Sequence, residues 1–469
     1  MRKACLIFGA GYMGKGAYFK LNNYYEVNAF VDNNPNLQGT LLYGLPIIGP
    51  QKAKEHYDND KWEIIVCGEA YYEIAEQLYE MNIKNLMVML GGFLFYFCPE
   101  RFMIPCELVK IESYKKESAN EKNILFVQDA PCIRTHKLAL FLKNAGYQVF
   151  LLYTVAFSED GNRNFSDIYN KIYTTYTMNQ FIDFVKESEF DIIHSSNEPD
   201  YLTNLLLLTD KKIIHDTHDM ESIRSKIRSE KLIMEYIANT KSAGQIYTSE
   251  GVKNIAFQKF DLNDKNSFVI ENMMLKSVKT NKPYEKLSKK DGKIHCVYEG
   301  GISSVKETMR YFEDIFLKIA DYGVHVHYYS HQNIEYCRGV EQKSKFLHYE
   351  GNIGSTELVR EMTKYDCGLA IFNVSTKNKT FIETGSANKV YEYINAGLPV
   401  VVGKIQSYID FVEKYQVGGY LNLEENIAER LKEISLITVS DTCLEDNKLT
   451  WESRKEEIVN YYDKLIEIG

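Results

Sequence analysis

The sequence is poor in proline and has no closely paired cysteines. Nine of its 469 residues are proline, and 45% hydrophobic and 25% charged residues with 28 glycines make an ordinary globular composition, neither fibrous nor disordered. The nine cysteines, at 5, 67, 98, 106, 132, 296, 337, 367 and 443, are odd in number and scattered, and no two form a Cys-x-x-Cys pair. Disulfide scaffolding and a zinc site both lack support, which points to a reducing cytoplasm. Long hydrophobic runs are missing too. The longest, Leu86 to Cys98, has 13 residues and two central glycines, against the ~20 needed to cross a bilayer. It is expected to be a buried strand followed by a packed turn, with shallow membrane contact as the alternative. The apolar stretch in the opening MRKACLIFGAG is too short and glycine-rich for a signal peptide, so export is not expected. A formal charge of −9, from 55 basic and 64 acidic side chains, disfavours nucleic acid as a partner. Two basic stretches run against that balance: seven lysines from Lys276 to Lys293, and Arg224, Lys226, Arg228 and Lys231. Both are expected to be solvated linkers or helix faces, with docking on an anionic membrane as the sharper alternative.

What is present is an α/β rhythm. At roughly 150 residues per domain the length suggests about three domains, and three stretches each alternate a β-branched or aromatic run, a polar turn and a helical pattern. The first has strands at Ala4 to Phe8, Glu26 to Val31 and Glu63 to Cys67. The second begins with NILFVQ at Asn123, followed by a helix over Arg134 to Ala145 and the strand QVFLLY. The third has IHCVYEGG (294 to 301), HVHYYS (325 to 330), CGLAIF (367 to 372) and PVVVG (399 to 403). The expected organisation is a Rossmann-like domain over 1 to 105, a linker over 106 to 122, a second domain over 123 to 275, a linker over 276 to 293, a third domain over 294 to 445, and terminal helices over 446 to 469, which the family resemblance described below implies cross back. The fold class is therefore α/β, with three Rossmann-like units.

Gly9, Gly11 and Gly14 fit Gly-x-Gly-x-x-Gly directly after the first strand and at the opening of a helix. Such a loop allows a tight turn and a close approach to a pyrophosphate, and Asp32, at the end of the next strand, is placed to bind ribose hydroxyls. The alternative is that the glycines only make the turn and Asp32 caps a loop. The string FVDNNPNLQGTLLYGLPIIGP (30 to 50) resembles the small Rossmann-like domains at the front of bacterial sugar-modifying proteins. That resemblance covers about residues 1 to 100 and leaves open whether the domain holds a nucleotide sugar, NAD(P) or nothing. No Tyr-x-x-x-Lys pair of dehydrogenase type has a convincing context.

Residues 386 to 402 read SANKVYEYINAGLPVVV. Asn388 is placed to cap a helix that packs Val390, Tyr393 and Ile394 inward and stops at Gly397. Lys389 and Glu392, three apart, share a helix face. This stretch resembles the nucleotide-binding segment of retaining glycosyltransferases of the two-Rossmann (GT-B) architecture, family 4. The resemblance implies that Ala387, Asn388 and Lys389 lie at the donor diphosphate and that Glu392 binds the ribose diol. A helix start attracts anions and a carboxylate accepts both hydroxyl protons, so the chemistry agrees.

Other stretches fall in family order over about residues 122 to 469. Arg134 follows the loop after the first strand of the second domain, and FDIIHSSNEPD, with Asn197 and Glu198, resembles a strand end on the acceptor side. His218 and Asp219 follow a predicted strand and emerge at its carboxyl end, where open α/β sheets bind ligands.

Three departures stand out. GGISSVK (300 to 306), whose Gly300 and Gly301 the resemblance counts with the donor-binding residues, keeps Lys306 but has Gly301 where the family carries an arginine, so one cation of the expected clamp is missing. Glu383 and Glu392 have eight residues between them rather than seven. Where relatives show His-x-His-Glu-Pro, this chain has Ser195, Ser196 and Asn197 ahead of Glu198 and Pro199.

The resemblance implies a hexosyltransferase-like enzyme that moves a sugar from a nucleoside diphosphate sugar to a lipid-linked or saccharide hydroxyl, with retention, in cell-surface polysaccharide biosynthesis. His218, Asp219, Lys306 and Glu383 are the catalytic candidates. No Asp-x-Asp motif lies in a suitable loop, so neither metal nor cofactor is expected for transfer. The expected location is the cytoplasm, with peripheral contact at the inner membrane face. Two alternatives stay open: a non-catalytic nucleotide-binding subunit, and an oxidoreductase or dehydratase acting on nucleotide sugars through residues 9 to 32.

Overall fold

In a computed structural model, the protein is described over residues 2–98, 102–106, 110–155, 165–224, 228–263, 266–275 and 283–467. It divides into two compact units, residues 1–215 and 216–469.

The first unit opens with an eight-stranded sheet made of β1 (Lys3–Phe8), β2 (Tyr25–Val31), β3 (Leu41–Leu42), β4 (Leu45–Ile48), β5 (Glu63–Cys67), β6 (Leu86–Leu90), β7 (Phe93–Cys98) and β8 (Phe102–Pro105), in the order β3-β4-β2-β1-β5-β6-β7-β8. Its central strands are parallel and buried on both faces, so they read as continuous apolar runs. Cys5 and Ile7 of β1 pack into one core, and Leu6 and Phe8 into another.

The run from Leu86 to Cys98 is two antiparallel strands rather than one strand and a packed turn. Gly91 and Gly92 both have positive φ, 53° and 80°, the combination a two-residue hairpin needs to match the strand twist. The hairpin also anchors this sheet to its neighbour in the same unit. Phe93 packs with Leu125, Val127 and Phe150, and Tyr201 Oη donates to the Gly91 carbonyl at 2.6 Å. Lys20, fully buried, donates to the carbonyls of Gly92 and Thr154. Desolvation holds its ammonium well below the ordinary lysine range.

The described part of segment 106–122 has neither helix nor strand after Cys106, yet it is docked. The Tyr114 ring stacks on Phe190 at 4.8 Å and Lys116 pairs with Asp191 at 3.0 Å. The next strands are β9 (Asn123–Gln128), β10 (Gln148–Tyr153), β11 (Lys171–Thr174), β12 (Ile192–Ser196) and β13 (Ile213–Thr217), in the order β11-β10-β9-β12-β13. The strand order reverses between β9 and β12, and the division into units falls within β13.

The second unit holds the parallel pair β14 (Gly244–Tyr247) and β15 (Ser267–Val269). It also holds a six-stranded parallel sheet of β16 (His295–Glu299), β17 (His325–Tyr329), β18 (Leu347–Gly351), β19 (Cys367–Ala370), β20 (Val400–Val402) and β21 (Gly418–Tyr420). The order β18-β17-β16-β19-β20-β21 puts its reversal between β16 and β19. The C-terminal helix Lys455–Glu467 packs on the β14–β15 pair, where Tyr461 Oη donates to the carbonyls of Gln245 and Asn266, both at 3.0 Å. Of the two basic stretches, residues 276–282 and Lys226 lie outside the described residues, while Arg224 and Lys231 both pair with Glu221. Among the described residues no helix is long and apolar enough to cross a membrane.

Candidate functional site

Open α/β sheets bind ligands outside the carboxyl ends of the strands at the point of reversal, which in the second unit is the end of β16 beside β19. Glu299 closes β16 and is followed by Gly300, whose φ is 125°. A Cβ on Gly301 would stand 2.7 Å from Arg310 Nη1 and 2.6 Å from Gln332 Oε1, so these two side chains occupy its space. Lys389 completes the group: its Nζ lies 3.9 Å over the Tyr298 ring and 3.4 Å from the Cβ position of Gly300. A guanidinium, that of Arg310 nine residues further on, therefore stands at the turn where the sequence has Gly301.

Lys389 belongs to the helix Asn388–Asn395, whose inward side carries Val390, Tyr391, Tyr393 and Ile394. Tyr393 Oη accepts from the Glu299 amide at 3.1 Å and donates to the Leu369 carbonyl at 3.3 Å, joining the helix to β16 and β19. Asn388 is the first helical residue, not the cap. The cap is Ala387, which offers no side-chain oxygen, so no side chain from the cap satisfies the first amides. Asn272 braces the approach by donating from Nδ2 to the Ser386 carbonyl at 2.7 Å. Gly397, with φ 74°, follows the helix as expected.

Charges of both signs converge here. Desolvation lowers Lys389 to about 8, opposed by Glu299 and Glu392 and reinforced by Arg310. Glu392 thus lies within electrostatic reach of Lys389. Asp219 is 40% exposed at its side chain, yet desolvation by the surrounding fold raises its carboxyl above the ordinary range, against the pull of His218 and Arg310. His218 Nε2 lies 3.1 Å from the buried Asp216 carboxylate, and its carbonyl accepts from Thr248 Oγ1 at 3.0 Å. His218, Asp219, Arg310, Lys389 and Glu392 are in this way linked by contact or by field.

Two candidates stand apart from that group. The Lys306 ammonium is exposed and lies 5.7 Å over the Tyr311 ring. Glu383 pairs with Lys379 at 3.4 Å on its own helix, Lys379–Thr384. That helix ends at Gly385, so Glu383 and Glu392 sit on separate helices and their sequence spacing does not set their geometry.

In the first unit, Arg134 is buried in the first turn of the helix Ile133–Asn144. Asn197 is buried and Glu198 exposed, both at the carboxyl end of β12. Asp129, at the carboxyl end of β9, was not singled out in the sequence, and desolvation raises it to about 6. In the glycine loop, Gly9 has φ 116°, and a Cβ on Gly14 would stand 1.7 Å from the Gly9 carbonyl oxygen, so both positions require glycine. Gly11 caps the helix Tyr12–Leu21 with open space before it. Asp32 accepts from the amides of Ala10 and Asn34, each at 2.9 Å. One bond closes the loop of Asp32 itself and the other ties that carboxylate to the glycine loop.

Comparison with known proteins gives this architecture a place. Residues 312–451 match the family described as "Glucosyltransferase 3-like, C-terminal domain", and residues 1–89 match "C2185-like, N-terminal". A glycosyltransferase from Rickettsia africae is 12% identical, over 75% of this chain and 100% of its own, with a TM-score of 0.55. The Anabaena protein HepE in complex with UDP is 12% identical, over 73% of this chain and 100% of its own, with a TM-score of 0.56. Its complex with UDP and glucose is 15% identical, over 73% and 98%, with a TM-score of 0.51. No curated sequence matches the chain. The chain is a mixed α/β protein with parallel sheets, and its fold is that of the GT-B glycosyltransferases.

Proposed function

We propose that the chain is a retaining glycosyltransferase that moves a sugar from a nucleoside diphosphate sugar to a lipid-linked or saccharide hydroxyl during synthesis of a cell-surface polysaccharide. The observation that carries this reading is the convergence of Arg310 and Lys389 on the Gly300–Gly301 turn, beside a helix start without a side-chain cap. Negative charge grows on the diphosphate as the bond to the sugar breaks, and fixed cations aimed at that charge act more strongly in the transition state than on the bound donor. Arg310 offers a planar fork to the phosphate oxygens and Lys389 a point charge. Lys306, on the same loop, is the outer cation, and the amides of Asn388 and Lys389 face the diphosphate. Glu392 takes the ribose hydroxyls, while His218 and Asp219 hold the transferred sugar.

Because the chain's own cations neutralise the leaving group, transfer needs no divalent ion and no cofactor. The HepE complex with UDP makes a uridine diphosphate sugar the first donor to try. A lipid-linked acceptor would place the work in the cytoplasm at the inner membrane face. In the first domain, the engagement of Asp32 with Ala10 supports a structural loop over NAD(P) binding.

A thermal-shift panel of UDP, GDP, NAD, NADP and CoA on the full chain tests the ligand class. A ligand at a hundredfold over its Kd adds about 2.7 kcal/mol of stability. A shift with UDP or GDP, followed by donor turnover that keeps the anomeric configuration, supports the proposal. Absence of any nucleoside diphosphate shift overturns it.

A further inference from the structure

The other end of the third sheet carries a second constellation that the transfer reaction does not use. His295 and His325 are paired in register at the starts of β16 and β17, and His327 is paired with His348 of β18. His325 and His327 are two apart, so parallel register puts all four imidazoles on one face of the sheet. His295 is four residues before Glu299 and five before Gly300, about 16 Å from the glycine turn at roughly 3.3 Å per residue. The rings stack in two layers, His295 on His325 at 4.3 Å and His327 on His348 at 4.4 Å.

The positions of the protons decide what this cluster can hold. Carboxylates only accept, so an imidazole nitrogen facing one carries the proton. The Nε2 atoms of His295 and His325 each lie 3.3 Å from the Asp291 carboxylate, and His327 Nδ1 lies 2.7 Å from Glu350 Oε1. With those outer nitrogens protonated, the inner ones, Nδ1 of His295 and Nε2 of His327, are left as lone pairs facing each other at 2.9 Å. Two lone pairs that converge in this way mark a point where a single cation can be held between them. The side chains of His295, His325 and His327 are only 8, 14 and 7% exposed.

We propose that this end of the sheet binds one first-row transition-metal dication of the zinc type, liganded by the inner ring nitrogens of His295, His325 and His327. One nitrogen from each lies within 4.8 Å of the others, and turning the stacked rings out of their near-parallel planes brings them to the separation set by Zn–N bonds of about 2.0–2.1 Å. His348, whose Nε2 is 2.8 Å from His325 Nδ1, is the fourth imidazole within reach. The ligand set suits zinc, copper or nickel and not magnesium or calcium. Asp291 and Glu350 take the outer N–H groups, the arrangement that fixes the tautomer and orientation of metal-bound histidine. The site is independent of the proposed transfer reaction, and its ion would tie together β16, β17 and β18.

The test is zinc titration of the chelator-treated full-length chain, followed by calorimetry, metal analysis after gel filtration, and X-ray absorption at the zinc edge. One zinc per chain with an all-nitrogen imidazole shell and a raised melting temperature is the expected result. His327→Gln is expected to lose stoichiometric binding. Glu350→Gln, which keeps every ligand, is expected to weaken it about 10- to 100-fold. The proposal is overturned if the wild-type chain retains no zinc, if both variants bind as the wild type does, or if nitrogen NMR finds an imidazolium at His295 or His327 whether or not zinc is added.

Discussion

Arg310 Nη1 stands 2.7 Å from the point where a Cβ on Gly301 would be, so the guanidinium of one residue fills the side-chain space of the other. Replacing Arg310 by Ala is expected to lower kcat/KM for the donor by roughly ten- to a hundredfold, the effect of losing one charge-assisted hydrogen bond of about 1.5–3 kcal/mol. Adding Gly301→Arg to that variant returns a guanidinium to the same turn, carried beyond the Cβ position that Arg310 fills, once the flexible end of Gln332 moves aside, and part of the loss is then recovered. Steady-state kinetics on the two variants checks both statements.

Lys389 gives donor binding a pH dependence. Its lowered value of about 8 means that the free protein loses this ammonium as pH rises through 8, and donor affinity falls over the same range. A bound diphosphate favours the charged form, so binding takes up protons near pH 8 to 9, measurable by calorimetry in buffers of different ionisation heat. Lys389→Arg stays charged and flattens the profile. Stability moves the other way. Between about 8 and 10.5 the unfolded chain binds more protons at this lysine than the folded one, so its contribution to stability rises with pH.

Glu392→Ala removes the proposed ribose contact and is expected to cost about 1.5–3 kcal/mol, roughly ten- to a hundredfold in affinity for a nucleoside diphosphate. Affinity for inorganic pyrophosphate, which has no ribose, stays within about twofold, since residues outside the contact contribute nearly additively. Equal losses for both ligands would move Glu392 away from the ribose.

Lys20→Met keeps most of the buried stem but leaves the carbonyls of Gly92 and Thr154 without their donor. Unsatisfied buried acceptors cost about 1–3 kcal/mol each, and urea unfolding of the first unit is expected to show a loss in that range.

The parts legible in the sequence are those that local physics controls. Strands such as Ile64 to Val66 and Val400 to Val402 are buried on both faces, and a parallel sheet writes that burial directly as an apolar run. The helix after Ser386 was legible through its inward residues, although its cap lies one residue earlier than Asn388 because Ala387 takes the extended conformation. Arg310 was not legible, since the fold of the intervening loop, not residue spacing, brings it to Gly301. The same holds for His295, His325, His327 and His348: spread over 54 residues, they meet only through the register of three strands. The geometry of Glu383 relative to Glu392 was illegible for a related reason, because the helix that carries Glu383 ends at Gly385 and residue spacing does not carry across that break.

The Gly91–Gly92 hairpin also bears on how such proteins can be recombined. Tyr201 holds one of its carbonyls, Lys20 the other, and Phe93 fills a slot among Leu125, Val127 and Phe150. A chimaera that exchanged residues 1–105 for a foreign Rossmann unit would need to import the hairpin's partners as well, so the front of this chain is inherited with its neighbour rather than as an interchangeable cassette.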